Sequence, residues 1–255
     1  MSPTGIIWLA AFGLVVGSFL NVCISRLPAG ESVVFPGSRC PKCRKAIRWY
    51  DNIPVASYIW LAGRCRACGT AIPVRYPLVE MATAAVFTLQ GLVFDDPWLL
   101  GQRLVFSAAM IALFGTDLET QRLPNVITLP GIVLGLASSV WLPPGIQSSL
   151  VGAALGAAIP WSIRWVWLRA KGVEAMGLGD VKMLAMIGAF LGWKQVWLVL
   201  LFSSLAGAVV GVLLMVTGRT SLQSRLPFGT FLALAALAAS LGGEALVDWY
   251  LKLYP

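Results

Sequence analysis

Asp117, within Thr116-Asp117-Leu118-Glu119-Thr120, and Asp180, within Gly177-Leu178-Gly179-Asp180, are the residues of this chain best placed to do chemistry. Each stands where a long apolar run meets a polar patch assigned below to the cytosolic side. A carboxylate beside hydrocarbon is costly unless it finds a wet cavity, so both are functional candidates. The chain has 11 Asp and Glu and no histidine. Without imidazole, Ser-His hydrolysis and the His-rich zinc-protease motifs are excluded. Paired-aspartate chemistry remains. Two carboxylates held close share a proton and titrate as a unit. The ionised member takes a proton from water while the protonated member polarises a carbonyl. The residues do not say which is which, and taken alone Gly177-Leu178-Gly179 also reads as an ordinary flexible turn.

A second centre is Cys40-Pro41-Lys42-Cys43 with Cys65-Arg66-Ala67-Cys68, the pairs separated by 21 residues. Each C-x-x-C lets two thiolates bite one metal, and two pairs complete a tetrahedron. Lys42, Arg44, Lys45, Arg64 and Arg66 would offset the charge of a zinc tetrathiolate. With four thiolates the site is closed, so the zinc is expected to be structural, stapling a loop too small to build its own core. Two disulfides are the competing reading, disfavoured for a reduced cytosolic loop. Cys23 lies in an apolar run and reads as a small buried residue.

The elements that position these groups are helices. Hydrophobic residues make up 58% and charged residues 12% of 255, against about 25% charged in soluble domains, so the chain is a polytopic membrane protein. Spans are expected near 6–24, 78–94, 98–116, 126–142, 149–168, 196–217 and 228–251, with a shorter piece at 181–193. This amounts to about eight transmembrane helices in an all-α fold. Met1 to Gly5 carries no Lys or Arg, so the first stretch lacks the n-region of a signal peptide and is expected to be retained.

The net charge of +8 is concentrated, with nine of 19 Lys and Arg between Arg26 and Arg75. The positive-inside rule puts that segment, Glu119–Arg122, Arg169–Lys182 and Arg219–Arg225 in the cytosol, with Asp95-Asp96-Pro97, Pro143-Pro144-Gly145 and Lys194 outside. Both termini are then outside. The same charges attract anionic lipid headgroups, whereas sparse aromatic interleaving speaks against nucleic acid. Small residues fill 149–160 and 203–211, as on close-packing helix faces. No repeat period stands out. Lys182 either tunes the aspartates or binds headgroups. Glu119 reads as a solvated charge. Glu80 falls inside a span, where it either pairs with Arg75 or another buried partner or serves a reaction site.

Taken together, several motifs resemble the bifunctional type IV prepilin peptidases of pilus and type II secretion systems. They are Gly17-Ser18-Phe19-Leu20-Asn21-Val22 with Arg26-Leu27-Pro28; the cysteine module with Asn52-Ile53-Pro54 and Gly63-Arg64-Cys65; Arg75-Tyr76-Pro77-Leu78-Val79-Glu80; Asp117-Leu118 with Leu123-Pro124-Asn125; Gly177-Leu178-Gly179-Asp180-Val181-Lys182; and Pro227-Phe228-Gly229. Asn125 departs from the pattern, since many members carry Asp there. The resemblance implies cleavage of a short basic leader from a prepilin or pseudopilin at the cytoplasmic face of the bacterial inner membrane. It further implies N-methylation of the new terminus by S-adenosylmethionine, with Asp117 and Asp180 catalytic. The methyl-donor pocket cannot be read, because no glycine-rich fingerprint is present; Glu80 is its one weak candidate. The implied division is 1–25, an N-terminal helix; 26–75, a methyltransferase-associated zinc module; and 76–255, a transmembrane peptidase domain. Two other readings are a peptidase-only G-x-G-D intramembrane protease and a non-enzymatic transporter or adaptor with a zinc-stapled loop. The cysteine module argues against the first, because peptidase-only members generally lack it.

Overall fold

A computed structural model describes residues 2–174, 176–218 and 226–253. Among them the regular structure is helical: α1 (Pro3–Arg26), α2 (Ala56–Trp60), α3 (Arg75–Val93), α4 (Pro97–Thr120), α5 (Asn125–Ser138), α6 (Ile146–Lys171), α7 (Leu178–Leu191), α8 (Trp193–Val216) and α9 (Phe228–Leu253). All eight expected apolar segments are helices. Six, α1, α3, α4, α6, α8 and α9, are long and apolar enough to cross a membrane, which makes this a multi-pass membrane protein. The other two, α5 and α7, have 14 residues each. That is about 21 Å of helix against a hydrocarbon core of about 30 Å. Of the seven spans expected beside the shorter piece at 181–193, six are long helices; the one expected over 126–142 is short, like α7. The basic segment Arg219–Arg225 lies outside the described residues.

The chain divides into two compact units, Met1–Ala112 and Leu113–Pro255. In the first, α1 buries Leu9, Gly13, Gly17, Leu20 and Ile24, a stripe at helical spacing. This stripe meets α3 at backbone distance. A Cβ on Gly13 would lie 2.6 Å from the Ala84 Cα, and one on Gly17 would lie 2.7 Å from the Glu80 Cα. Such small-xxx-small contacts let membrane helices close on each other where apolar burial gives no net drive.

The second unit is built around α7, whose Val181 and Met183 through Leu191 are all buried. Glycines on its neighbours make the room. Gly131 and Gly135 of α5 face Met186 and Phe190, while Gly152 and Gly156 of α6 face the Gly188 and Leu184 carbonyls. The small-residue face expected over 149–160 is thus present. The one expected over 203–211 is close-packed only at its ends, where Ser203 is buried and a Gly211 Cβ would lie 3.2 Å from Leu226; between them Gly207 meets Phe231 at an ordinary 3.5 Å and most of the stretch is exposed. Helix α7 is short because Gly192, at φ +82°, turns the chain directly into α8.

Candidate functional site

Asp117 occupies the last turn of α4 and Asp180 the first turn of α7. Both belong to the second unit. Helix α4 stops when Gln121 turns left-handed at φ +52° and its N–H donates to the Asp117 carbonyl. Leu123-Pro124 then leads straight into α5. Leu123 becomes the common floor of the site, because Gly179 of α7 and Gly229 of α9 both rest on it, their ideal Cβ positions 2.9 and 3.1 Å from its side chain. No larger residue fits at either position without displacement. The two aspartates, 63 residues apart in sequence, interact electrostatically across this floor.

Their surroundings differ. Asp117 is buried, and its Oδ2 accepts the Thr230 N–H at 2.7 Å and the Thr230 hydroxyl at 3.1 Å. The Gly229 N–H donates to the same carboxylate. The first turn of α9, with its unsatisfied amides, is therefore aimed at Asp117. Asp180 is half-buried and caps its own helix, accepting the Gly177 N–H at 3.2 Å. Lys182 donates to the Asn125 Oδ1 at 2.8 Å, tying α7 to α5. Glu119 is exposed, in keeping with a solvated charge.

In the first unit, the four cysteine sulfurs all lie within 4.8 Å of one another, a cluster that could hold a metal ion. The Cys40–Cys68 separation is 3.8 Å. A tetrahedron with arms of about 2.3 Å has edges of about 3.8 Å, so that pair already has zinc-thiolate spacing. All five cysteines are free, and Cys23 is buried away from the cluster. The knuckles repeat one another. The Cys40 and Cys65 N–H groups donate to Lys45 and Thr70, the bridges Arg39–Ala46 and Arg64–Ala71 close each loop, and Arg44 and Gly69, at matching positions, are both left-handed. The Thr70 hydroxyl and N–H bring the Cys68 thiol down to about 6, toward the thiolate that binds metal. Arg66 clamps Asp51 through two nitrogens and holds its carboxyl below the usual range.

Glu80 joins this module to the helix pair. Its Oε2 accepts the Val55 N–H at 2.8 Å, and Ser18 of α1 bonds the same carboxylate. Arg75, considered above as its partner, donates instead to the Ser25 hydroxyl at 2.7 Å. Asn21 of the amino-terminal motif donates to the Gly17 and Tyr76 carbonyls, binding α1 to the start of α3.

Two family models cover much of the chain. The bacterial peptidase A24 N-terminal domain matches residues 11–94, and the type IV leader peptidase family matches 104–212. A prepilin leader peptidase/N-methyltransferase of Pseudomonas aeruginosa is 38% identical over 264 residues, spanning 94% of this chain and 91% of that one. The chain belongs to the type IV leader peptidase family. It is accordingly an enzyme. Proteins with the same designation from Aeromonas salmonicida and Myxococcus xanthus are 36% and 42% identical, over 94% and 85% of this chain and 92% and 65% of theirs. No solved structure matches it. The first family segment contains the cysteine cluster and Glu80, and the second contains both aspartates. Thr230 lies beyond either segment. Sequence reading reached its neighbour through Pro227-Phe228-Gly229 but had no reason to single out a threonine whose role depends on where α9 begins.

Proposed function

We propose that this chain removes the basic leader of type IV prepilins or type II secretion pseudopilins and N-methylates the new terminus. Asp117 and Asp180 are the peptidase dyad and S-adenosylmethionine is the methyl donor. The observation that carries the reading is the placement of both aspartates, from separate helices, over one glycine-lined floor. A proton-sharing pair so placed suits water activation on one side of a peptide carbonyl and protonation on the other. The relatives' designation supports both activities.

Cys40, Cys43, Cys65 and Cys68 would hold zinc as a closed structural site whose chemistry is to keep the two knuckles folded. The proposed division of labour is a membrane helix over 1–25, the methyltransferase-associated module over 26–75 and the peptidase over 76–255. Glu80 enters this scheme as the residue that seats the module and is not assigned to the methyl donor. The charge pattern supports an inner-membrane protein with both termini periplasmic and the working face cytoplasmic. A peptidase-only enzyme is disfavoured by the intact cysteine cluster.

The test incubates purified protein with a prepilin and a labelled methyl donor. Asp117→Asn and Asp180→Asn should each abolish cleavage, yet both should methylate a precut pilin. Normal cleavage by either folded variant sinks the dyad.

A further inference from the structure

We infer that the first turn of α9 assigns the roles of the two aspartates: Gly229 and Thr230 hold the negative charge of the pair on Asp117, which activates water, and leave the proton on Asp180. This deepens the proposed peptidase reading and rests on it. The geometry is asymmetric. Asp117 Oδ2 receives two hydrogen bonds from Thr230, at 2.7 and 3.1 Å, and Gly229 adds a backbone donor to the carboxylate. Among the described residues Asp180 has only amides at the start of its own helix, and the Gly177 bond, at 3.2 Å, is longer than either Thr230 bond to Asp117. Where two carboxylates share one proton, the one with more and shorter donors keeps the charge. Oδ2 being engaged, Oδ1 is the oxygen we assign to the water.

Hydrolysis then balances as follows. Asp117 takes a proton from water as the oxygen attacks the scissile carbonyl carbon, and Asp180 gives its proton to the carbonyl oxygen. On collapse of the tetrahedral intermediate the C–N bond breaks. The amine nitrogen takes the proton held by Asp117, and Asp180 recovers one from the intermediate's hydroxyl. Both groups return to their starting states. Thr230 touches no reacting atom; it is a positioning residue.

Among the described residues few other charges bear on the pair: Arg164 of α6 donates to the Met176 carbonyl, next to Gly177, and pairs with Glu174. Helix α7 brings Asp180 and Lys182, the latter bonded to Asn125, while α5 carries no ionisable residue. In α9 the first is Glu244, four turns away, and α4 with its following turn adds Glu119 and Arg122, with Arg103 four turns back from Asp117.

The experiment is the pH profile of leader cleavage by Thr230→Val and Thr230→Ser in the full-length protein. Removing a donor to the charged form makes that form harder to reach, so the valine variant's acid limb should move up by about one pH unit. That is about tenfold less cleavage at a fixed pH on that limb. The alkaline plateau and the KM should stay near their starting values, and serine should restore the profile. Thr230→Ala removes the same hydroxyl without added bulk and must show the same displacement if the valine variant folds poorly. An unmoved acid limb, or a loss uniform across pH, overturns the inference. Asp117→Asn and Asp180→Asn run alongside: if either cleaves, the dyad itself has failed, a result separate from the behaviour of Thr230.

Discussion

Gly188→Ala tests whether backbone contact between α6 and α7 sets the position of Asp180. The added Cβ would lie 2.1 Å from the Gly152 carbonyl oxygen and 2.3 Å from its carbon, where unstrained contact begins near 3.4 Å. The shortfall exceeds 1 Å. Both contacts are backbone, so no rotamer change relieves them, and the helices must separate. Overpacking of this kind costs about 1–3 kcal/mol, and a rigid contact belongs at the upper end. Asp180 lies eight residues along the same buried helix, about 12 Å away. A misplacement of about 1 Å at a reacting group lowers rate on the order of 10²-fold. Cleavage should therefore fall by about two orders of magnitude in protein that still inserts and binds metal, while methylation of a precut pilin is largely retained. Gly207→Ala is the control, because its Cβ meets Phe231 at an ordinary 3.5 Å. Both changes gain about 1 kcal/mol of helix propensity, so the difference isolates packing. The assay follows mature pilin on gels, with thermal unfolding in parallel. Gly188→Ala protein cleaving at the rate of the Gly207→Ala control would refute the reasoning.

In the first unit, Gly17→Ala should drive α1 from the Glu80 backbone, 2.7 Å from the new Cβ, and free the Val55 N–H. Faster amide exchange at Val55, with methylation falling more than cleavage, is the expected result. Arg44→Gly should stabilise the cysteine module by about 0.5–1 kcal/mol, since left-handed strain of about 1–2 kcal/mol is relieved against glycine's added unfolded freedom; a competition titration with a zinc chelator reads it. Zinc removal, or Cys40→Ser, should weaken methylation before cleavage, as followed by metal analysis and labelled methyl incorporation.

The long helices were legible because their apolar runs are long and uniform, and all but the five-residue α2 were located from sequence. Their ends were less so. The run expected over 126–142 closes at Ser138, because Ser139 to Gly145 coil back into turns around Pro143-Pro144. Hydropathy continues through Val140-Trp141-Leu142, while backbone geometry does not. The glycine pattern carried real information in α6, where Gly152 and Gly156 each meet a carbonyl of α7. The same composition in α8 carried less, because small residues permit close approach without requiring it. Only the partner helix decides.

The site divides in the same way. Asp117, Asp180 and the four cysteines announce themselves by chemistry that is out of place in an apolar chain. Thr230 and the bond from Val55 to Glu80 do not, for a shared physical reason. Each is a backbone amide brought to a carboxylate across a long stretch of chain, 113 residues for Thr230 and 25 for Val55. A backbone amide has no residue type, so sequence cannot mark it. Such donors become visible only once the fold shows which helix begins beside which acid. In both units an acidic side chain in an apolar segment is met by a main-chain N–H, which supplies a partner without bringing in a cation. A cationic partner would hold the Asp117 charge too firmly for proton exchange with water. In the proposed scheme a neutral amide leaves that exchange possible, so the donors of α9 would suit a base better than an arginine.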